Sequence, residues 1–125
     1  MSKIIHTKNA PDAIGPYSQA ICTGNLVFTS GQIAINPETA NVEATTIEEQ
    51  TEQVCKNLSA VLEAAGSSLD KVVKTTCFLK NMEDFAAFNS IYGKYFVSKP
   101  ARSCVAAKQL PKDVLVEVEV VAEIQ

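Results

Sequence analysis

The chain has 125 residues, 46% of them hydrophobic and 20% charged, which suits one domain over residues 1-125 with a core that needs neither disulfides nor a structural metal. Its formal net charge is −3 and its lysines are scattered from Lys3 to Lys112 without a dense basic run, which argues against a nucleic-acid partner bound through phosphate neutralisation. No apolar run approaches the roughly 20 residues of a membrane span and Met1 to His6 has no apolar leader stretch, so no membrane association and a cytoplasmic location are expected.

In chain order, Ile14-Gly15-Pro16-Tyr17 is turn chemistry leading into a strand, with the Tyr17 hydroxyl at its start as either a ligand contact or a packing group. The β-prone runs Tyr17 to Cys22 and Leu26 to Ser30 flank Thr23-Gly24-Asn25, which predicts an antiparallel hairpin. Ser30-Gly31-Gln32 follows, where Gly31 either lets a ligand approach the backbone closely or permits a turn conformation. After the turn Asn36-Pro37-Glu38-Thr39, Thr46 and Glu49 form a capping box that opens a helix. Ile47, Val54, Leu58, Val61, Leu62 and Ala65 keep helical spacing along it, and Gly66 ends it.

Val72 to Leu79 is β-branched and aromatic, hence a strand. Asn81 is placed to cap a second helix whose Phe85, Phe88, Tyr92, Tyr95 and Phe96 share one face, read as core rather than as a ligand platform. Two more strands, Arg102 to Ala107 and Val114 to Ile124, are joined through Leu110-Pro111-Lys112-Asp113. The order β-β-α-β-α-β-β predicts an α+β domain: a mixed sheet with two helices packed on one face, since strand-helix-strand connections of this length favour parallel neighbours. In the last strand, Val114, Val116, Val118, Val120, Ala122 and Ile124 form a wholly apolar face. The other face mixes Leu115 and Val121 with Glu117, Glu119 and Glu123. A bare, semi-apolar sheet face in a small protein predicts a homo-oligomer with Glu117 near the subunit contact.

Arg102 and Glu117 stand on what read as neighbouring strands in the most apolar part of the chain, where unpaired charge is costly. The Arg102 guanidinium is suited to fork two hydrogen bonds onto a carboxylate; that partner is either Glu117 or Glu119 in a structural salt bridge, or an anionic ligand. Glu117, flanked by valines that would desolvate it, is the best general acid/base candidate, with an exposed strand carboxylate as the alternative. Cys104 as a nucleophile would need a neighbouring base, and the sole histidine, His6, lies in the N-terminal segment, so an inert thiol is the preferred reading. Cys22, Cys55, Cys77 and Cys104 are widely spaced with no CxxC pair and read as reduced thiols, with no metal site. The sequon Asn57-Leu58-Ser59 falls inside the first helix and reads as a chance match.

Several ordered motifs resemble a known family: Ala13-Ile14-Gly15-Pro16-Tyr17-Ser18-Gln19-Ala20, Thr29-Ser30-Gly31-Gln32-Ile33, Glu63-Ala64-Ala65-Gly66, Val73-Lys74-Thr75-Thr76-Cys77-Phe78-Leu79, Pro100-Ala101-Arg102-Ser103-Cys104-Val105, and Leu110-Pro111-Lys112-Asp113 through Glu117-Val118-Glu119. Together, nearly end to end, they are similar to the YjgF/YER057c/UK114 family, specifically its RidA branch of reactive-intermediate deaminases. The resemblance implies a chorismate-mutase-like fold, a variant of the ferredoxin-like arrangement, assembled as a homotrimer with three inter-subunit clefts. It implies hydrolysis of 2-aminoacrylate and 2-aminocrotonate, or their imine tautomers, to 2-oxoacids and ammonia, with no cofactor. The family's carboxylate-binding arginine falls on Arg102 and its water-orienting glutamate on Glu117, while Tyr17, Ser30, Gly31, Asn89 and Cys104 match cleft-lining positions. Two departures touch the cleft rim: Ala40 stands where a turn glycine is common, and Val97-Ser98-Lys99 is a short approach to Pro100. A non-catalytic 2-oxoacid or small-anion sensor, or partner-binding trimer, is the alternative. An endoribonuclease or translation inhibitor, as members of the broader family have been described, is a further one that the acidic charge balance disfavours.

Overall fold

A computed structural model describes residues 2–124. Its elements are β1 (Ser2–Ile5), β2 (Ala20–Thr23), β3 (Leu26–Thr29), β4 (Ile35–Asn36), β5 (Asn41–Val42), α1 (Ile47–Ala64), β6 (Val72–Leu79), α2 (Phe85–Tyr95), β7 (Ala101–Ala106) and β8 (Val116–Glu123), with three short 3-10 turns. One sheet runs in the order β1-β2-β3-β8-β6-β7, and β4 and β5 form a separate two-stranded ribbon. Only β6 and β7 pair in parallel; the other ladders are antiparallel. The α+β reading of a mixed sheet with two helices holds.

Local chemistry accounts for the elements. Gly24, at φ 58°, turns β2 into β3, with Thr23 paired to Leu26. Thr46 caps α1 by accepting a 3.1 Å hydrogen bond from the Glu49 amide. At the other end Gly66, at φ 82°, closes the helix as Ser67 N–H donates to Leu62 O and Gly66 N–H to Glu63 O, the paired bonds of a Schellman cap. The α1 residues Val54, Leu58, Val61 and Leu62 are fully buried, as are Val116 and Ala122 of β8 and Leu79 of β6, each of the valines and leucines contributing about 1.5–3 kcal/mol of transfer free energy. Asn57 is buried too, donating to Ile33 O and Ile35 O at 3.1 and 2.9 Å, so the sequon asparagine is a structural tie.

Four features differ from the sequence reading. A strand at Ser2–Ile5 extends the sheet; it is short and mostly exposed, so it has no alternating pattern to reveal it. β2 begins at Ala20 rather than Tyr17 because Gly15, at φ 134°, bends the chain and the Tyr17 amide donates back to Gly15 O. Asn81 makes no side-chain cap: a 3-10 turn over Met82–Asp84 runs straight into α2. Finally, β3 and β6 are not neighbours. β8 inserts between them, antiparallel to both, because its apolar face extends the helix-covered core on either side.

Two half-sites on opposite faces of the sheet

The register sets where the charges point. Side chains directly opposite one another in a ladder share a sheet face. Arg102 pairs with Thr75, which is fully buried under α2 and hydrogen bonded to Tyr92 at 2.8 Å. Arg102 therefore lies on the helix-covered face, at the edge strand β7. Glu117 pairs with Phe78, which alternates with the buried Cys77 and Leu79, so Glu117 lies on the open face. β6 stands between their strands. The expectation of neighbouring strands is corrected, and so is the internal salt bridge: among the described residues Arg102 joins no ion pair with Glu117 or Glu119.

Neutral groups hold Arg102 instead. Its Nη1 donates to Asn89 Oδ1 at 2.7 Å, and its guanidinium carbon stands 5.3 Å from the Phe85 ring centroid and 4.9 Å from that of Tyr92. Phe85, Asn89 and Tyr92 follow the i, i+4, i+7 spacing of one helix face, so the aromatic stripe divides. Phe88, Tyr92 and Phe96 are core, while Phe85 and Tyr92 also offer ring faces to a cation. Cys104 follows two residues later on the same strand face, paired with Cys77. Burial raises the Cys104 thiol above its ordinary pKa despite the nearby Arg102 charge, and pushes Cys77 up to about 12; both thiols are protonated at neutral pH. A cleft of about 480 Å³ beside Arg102 is bounded by Tyr92, Gly93, Phe96, Lys99 and Pro100.

The second half-site surrounds Glu117. A cleft of about 370 Å³ is lined by Tyr17, Gly31, Gln32, Pro111 and Glu117, with Asp12 at its edge. Glu117 is half-buried, and its carboxyl titrates above the ordinary value, first through desolvation and then through the negative charge of Glu119. Gly31 has no positive φ; a Cβ there would fall 2.1 Å from Glu117 Oε2 and 2.8 Å from its carboxyl carbon. No turn conformation requires this glycine, and the group that packs on its backbone is the chain's own Glu117 carboxyl, a contact that neither reading of the sequence contained. Ser30 fixes the loop, its Oγ donating to Ser18 O at 2.5 Å and its amide to Gln19 O at 2.9 Å. Tyr17 is 54% exposed, which rules out core packing for its ring in the single chain.

Sequence reasoning missed two contributors, one in each half-site: Gln19 near Glu117 and Phe85 beside Arg102. Gln19 is 2% exposed; its side chain accepts from the Thr7 amide and donates to Thr7 O and Pro11 O, pinning the segment that carries Pro11 and Asp12 over the cleft. No local signal marked Gln19, because its burial is set by the fold. Phe85 beside Arg102 had no signal short of the register itself. His6 stands 3.7 Å from Asp12 at the surface and does not approach Cys104's strand face. Among the described residues no three His, Cys, Asp or Glu side chains are grouped to hold a metal, and no helix is long and apolar enough to cross a membrane.

The open face carries more than Glu117. Ile4, Ile21, Phe28 and Val121 pair in one row across β1, β2, β3 and β8, and Phe78 and Val105 lie beside each other near Glu117. Ile4 is 68% exposed, Phe28 44% and Val105 50%.

The same architecture occurs in proteins that are similar along the whole chain. The RutC family protein PH0854 of Pyrococcus horikoshii is 53% identical over 98% of both chains, and the 2-iminobutanoate/2-iminopropanoate deaminase of Escherichia coli is 48% identical over 98% of both. The crystal structure of the Escherichia coli YjgF gene product superposes with a TM-score of 0.93 at 44% identity, covering 98% of this chain and 99% of that one. The family model described as Endoribonuclease L-PSP matches residues 7–124. A family model matched over residues 7–124, relatives about half identical along the whole chain and a solved structure that superposes end to end lead to one conclusion: the chain belongs to the Endoribonuclease L-PSP family, that of the YjgF proteins.

Proposed function

We propose that the protein is a hydrolytic deaminase of small enamines and imines that bear a carboxylate, such as 2-aminoacrylate and 2-aminocrotonate or their imine tautomers, releasing 2-oxoacids and ammonia without a cofactor. One observation carries this reading. The chain's single arginine is half-buried and held by an amide and two rings, with no carboxylate among the described residues to neutralise it. A guanidinium with uncompensated charge and free N–H donors is a site for a small organic anion. The similarity to the deaminase of Escherichia coli names a fitting anion class.

The opposite sheet faces of Arg102 and Glu117 favour a cleft shared between subunits, as in a homotrimer, with Arg102, Asn89 and Cys104 from one copy and Glu117, Tyr17, Ser30 and Gly31 from the next. The exposed apolar row on the Glu117 face supplies the surface to bury. In that cleft Arg102 binds the substrate carboxylate, the Cys104 backbone lies beside it, and the imine carbon faces a water near Glu117. From the protonated imine, the ionised Glu117 takes a proton as the water oxygen bonds to carbon and the C=N electron pair moves to nitrogen, giving a neutral carbinolamine. Glu117 then returns that proton to nitrogen; as the C–N bond breaks, the hydroxyl oxygen forms the C=O bond and gives its proton to Glu117, which passes it to the departing ammonia, so that ammonium and the 2-oxoacid remain. With its pKa raised toward neutrality, Glu117 is a better match to both transfers than an ordinary carboxylate.

A coupled assay with threonine dehydratase tests the proposal. Arg102→Ala and Glu117→Gln are expected to lose most of the acceleration of ammonia release, while Cys104→Ser keeps a substantial part. Full activity in either of the first two variants overturns the assignment. Tight 2-oxobutanoate binding by a wild-type protein without turnover would instead favour the sensor reading. An RNA-cleaving role has little support in a chain of net charge −3 without a basic stripe.

A further inference from the structure

We infer that Tyr92 is the positioning residue for Arg102, and that it acts through its buried hydroxyl bond to Thr75 as well as through its ring. The carboxylate-binding part of this inference rests on the function proposed above; the positioning part does not.

Thr75 is the residue directly opposite Arg102 in the β6–β7 ladder. Tyr92 reaches down from α2 beside it, its hydroxyl 2.8 Å from Thr75 Oγ1 and its ring centre 4.9 Å from the Arg102 guanidinium carbon. The same ring is stacked on Phe96 at 4.4 Å and tilted against Phe88 at 5.3 Å. Tyr92 is therefore fixed at its tip by β6 and on its sides by two core rings. A ring so fixed is a rigid support, and the cation above it takes its place from that support. The hydroxyl bond also sets the height of α2 over the sheet at the turn that carries Asn89, the one side chain to which the guanidinium donates.

The chemistry of the pocket explains why the support is aromatic and neutral. A carboxylate in place of Asn89 would cancel the charge that an anionic ligand needs, and an aliphatic residue at Tyr92 would bury the cation without compensation. The amide takes one N–H and the rings occupy the space over the guanidinium, so the donors left over are in the guanidinium plane. That geometry selects a planar, two-oxygen anion such as a carboxylate.

Because Arg102 is the only arginine, its side-chain ¹⁵Nε–¹Hε signal is an unambiguous reporter of the support. In the free wild-type protein a ring-shifted, narrow signal is expected. Tyr92→Phe and Thr75→Val each remove one end of the same hydrogen bond with little change in volume, and each should move the signal toward the free-arginine position. Each should also raise the KM for the imine, and the Kd for 2-oxobutanoate used as probe, by about 3- to 10-fold, the factor one hydrogen bond is worth, with kcat within about twofold. The double variant should be no worse than either single one. An unmoved signal in both variants, or KM changes that simply add, overturns the positioning role. If 2-oxobutanoate leaves the wild-type signal unmoved while the variants shift it, the positioning role stands and the carboxylate-binding reading fails. Phe85→Leu, at a partly exposed site, supplies a variant outside the Thr75 bond that should shift the signal without the double-variant coupling.

Discussion

Gly31 and Glu117 occupy one space: the volume a Cβ would need at Gly31 is filled by the Glu117 carboxylate, 2.1 Å from where that carbon would sit. The glycine therefore fixes the side-chain position of a residue on another strand. Gly31→Ala is expected to fold, because the clashing atoms are the end of a flexible side chain, yet to swing Glu117 out of its cleft. Ammonia release should fall at least about tenfold with Tm within a few degrees of wild type. Unchanged turnover would separate Glu117's position from the chemistry.

The pH dependence follows from the two causes acting on Glu117. Desolvation and then Glu119 both raise its pKa. As a base Glu117 must be ionised, so kcat/KM should fall as pH drops through a limb lying above the ordinary carboxylate range. Glu119→Gln removes the repulsion, lowers the Glu117 pKa and moves that limb to lower pH. The sign for stability is opposite to that of a salt-bridged carboxylate. A group whose folded pKa is raised binds its proton more tightly in the native state, so its ionisation costs stability as pH rises from the unfolded pKa through the folded one. Glu117→Gln should then raise Tm at pH 7 while abolishing the limb; a lower Tm would contradict the desolvation account.

Assembly is testable on the open face. Light scattering should give a mass three times the 13.4 kDa chain, and Phe28→Glu or Val105→Glu, at 44% and 50% exposed positions, should shift it toward the monomer. Folded monomers of either variant should lose deaminase activity even though Arg102 and Glu117 are intact. An active monomer would place the whole site within one chain.

Ala40 takes φ 63° in the exposed link between β4 and β5, a left-handed conformation that costs a residue with a Cβ about 1 kcal/mol. Ala40→Gly should stabilise the protein by about 0.5–1 kcal/mol in urea titrations. The resemblance noted from the sequence implies a turn glycine here, and the left-handed φ of Ala40 is the conformation for which a glycine is suited.

What was readable in the sequence was what local chemistry dictates. Thr46, Glu49 and Gly66 marked both ends of α1, and alternation in Val116 to Glu123 marked a strand with one buried face. The pairing of strands was not readable. β8's partners are set by burial on both of its edges, which no local window contains, and the orientation of Arg102 toward α2 depends on its register with Thr75. Hence Arg102 and Glu117 were picked out as candidates and placed on neighbouring strands, whereas β6 stands between them. Gly31 was ambiguous for the same reason, since its partner Glu117 lies on a strand formed at the other end of the chain.

The central position of β8 bears on how the molecule comes into being. Among the described residues the strands before α1 and those after it meet only through β8, so during folding the two halves of the sheet keep open edges until β8 docks between them. Long-range closure of this kind is slow and leaves unpaired edges exposed in the meantime. Because Glu117 arrives on that strand, its carboxylate takes its place against Gly31 only when the two halves of the sheet close.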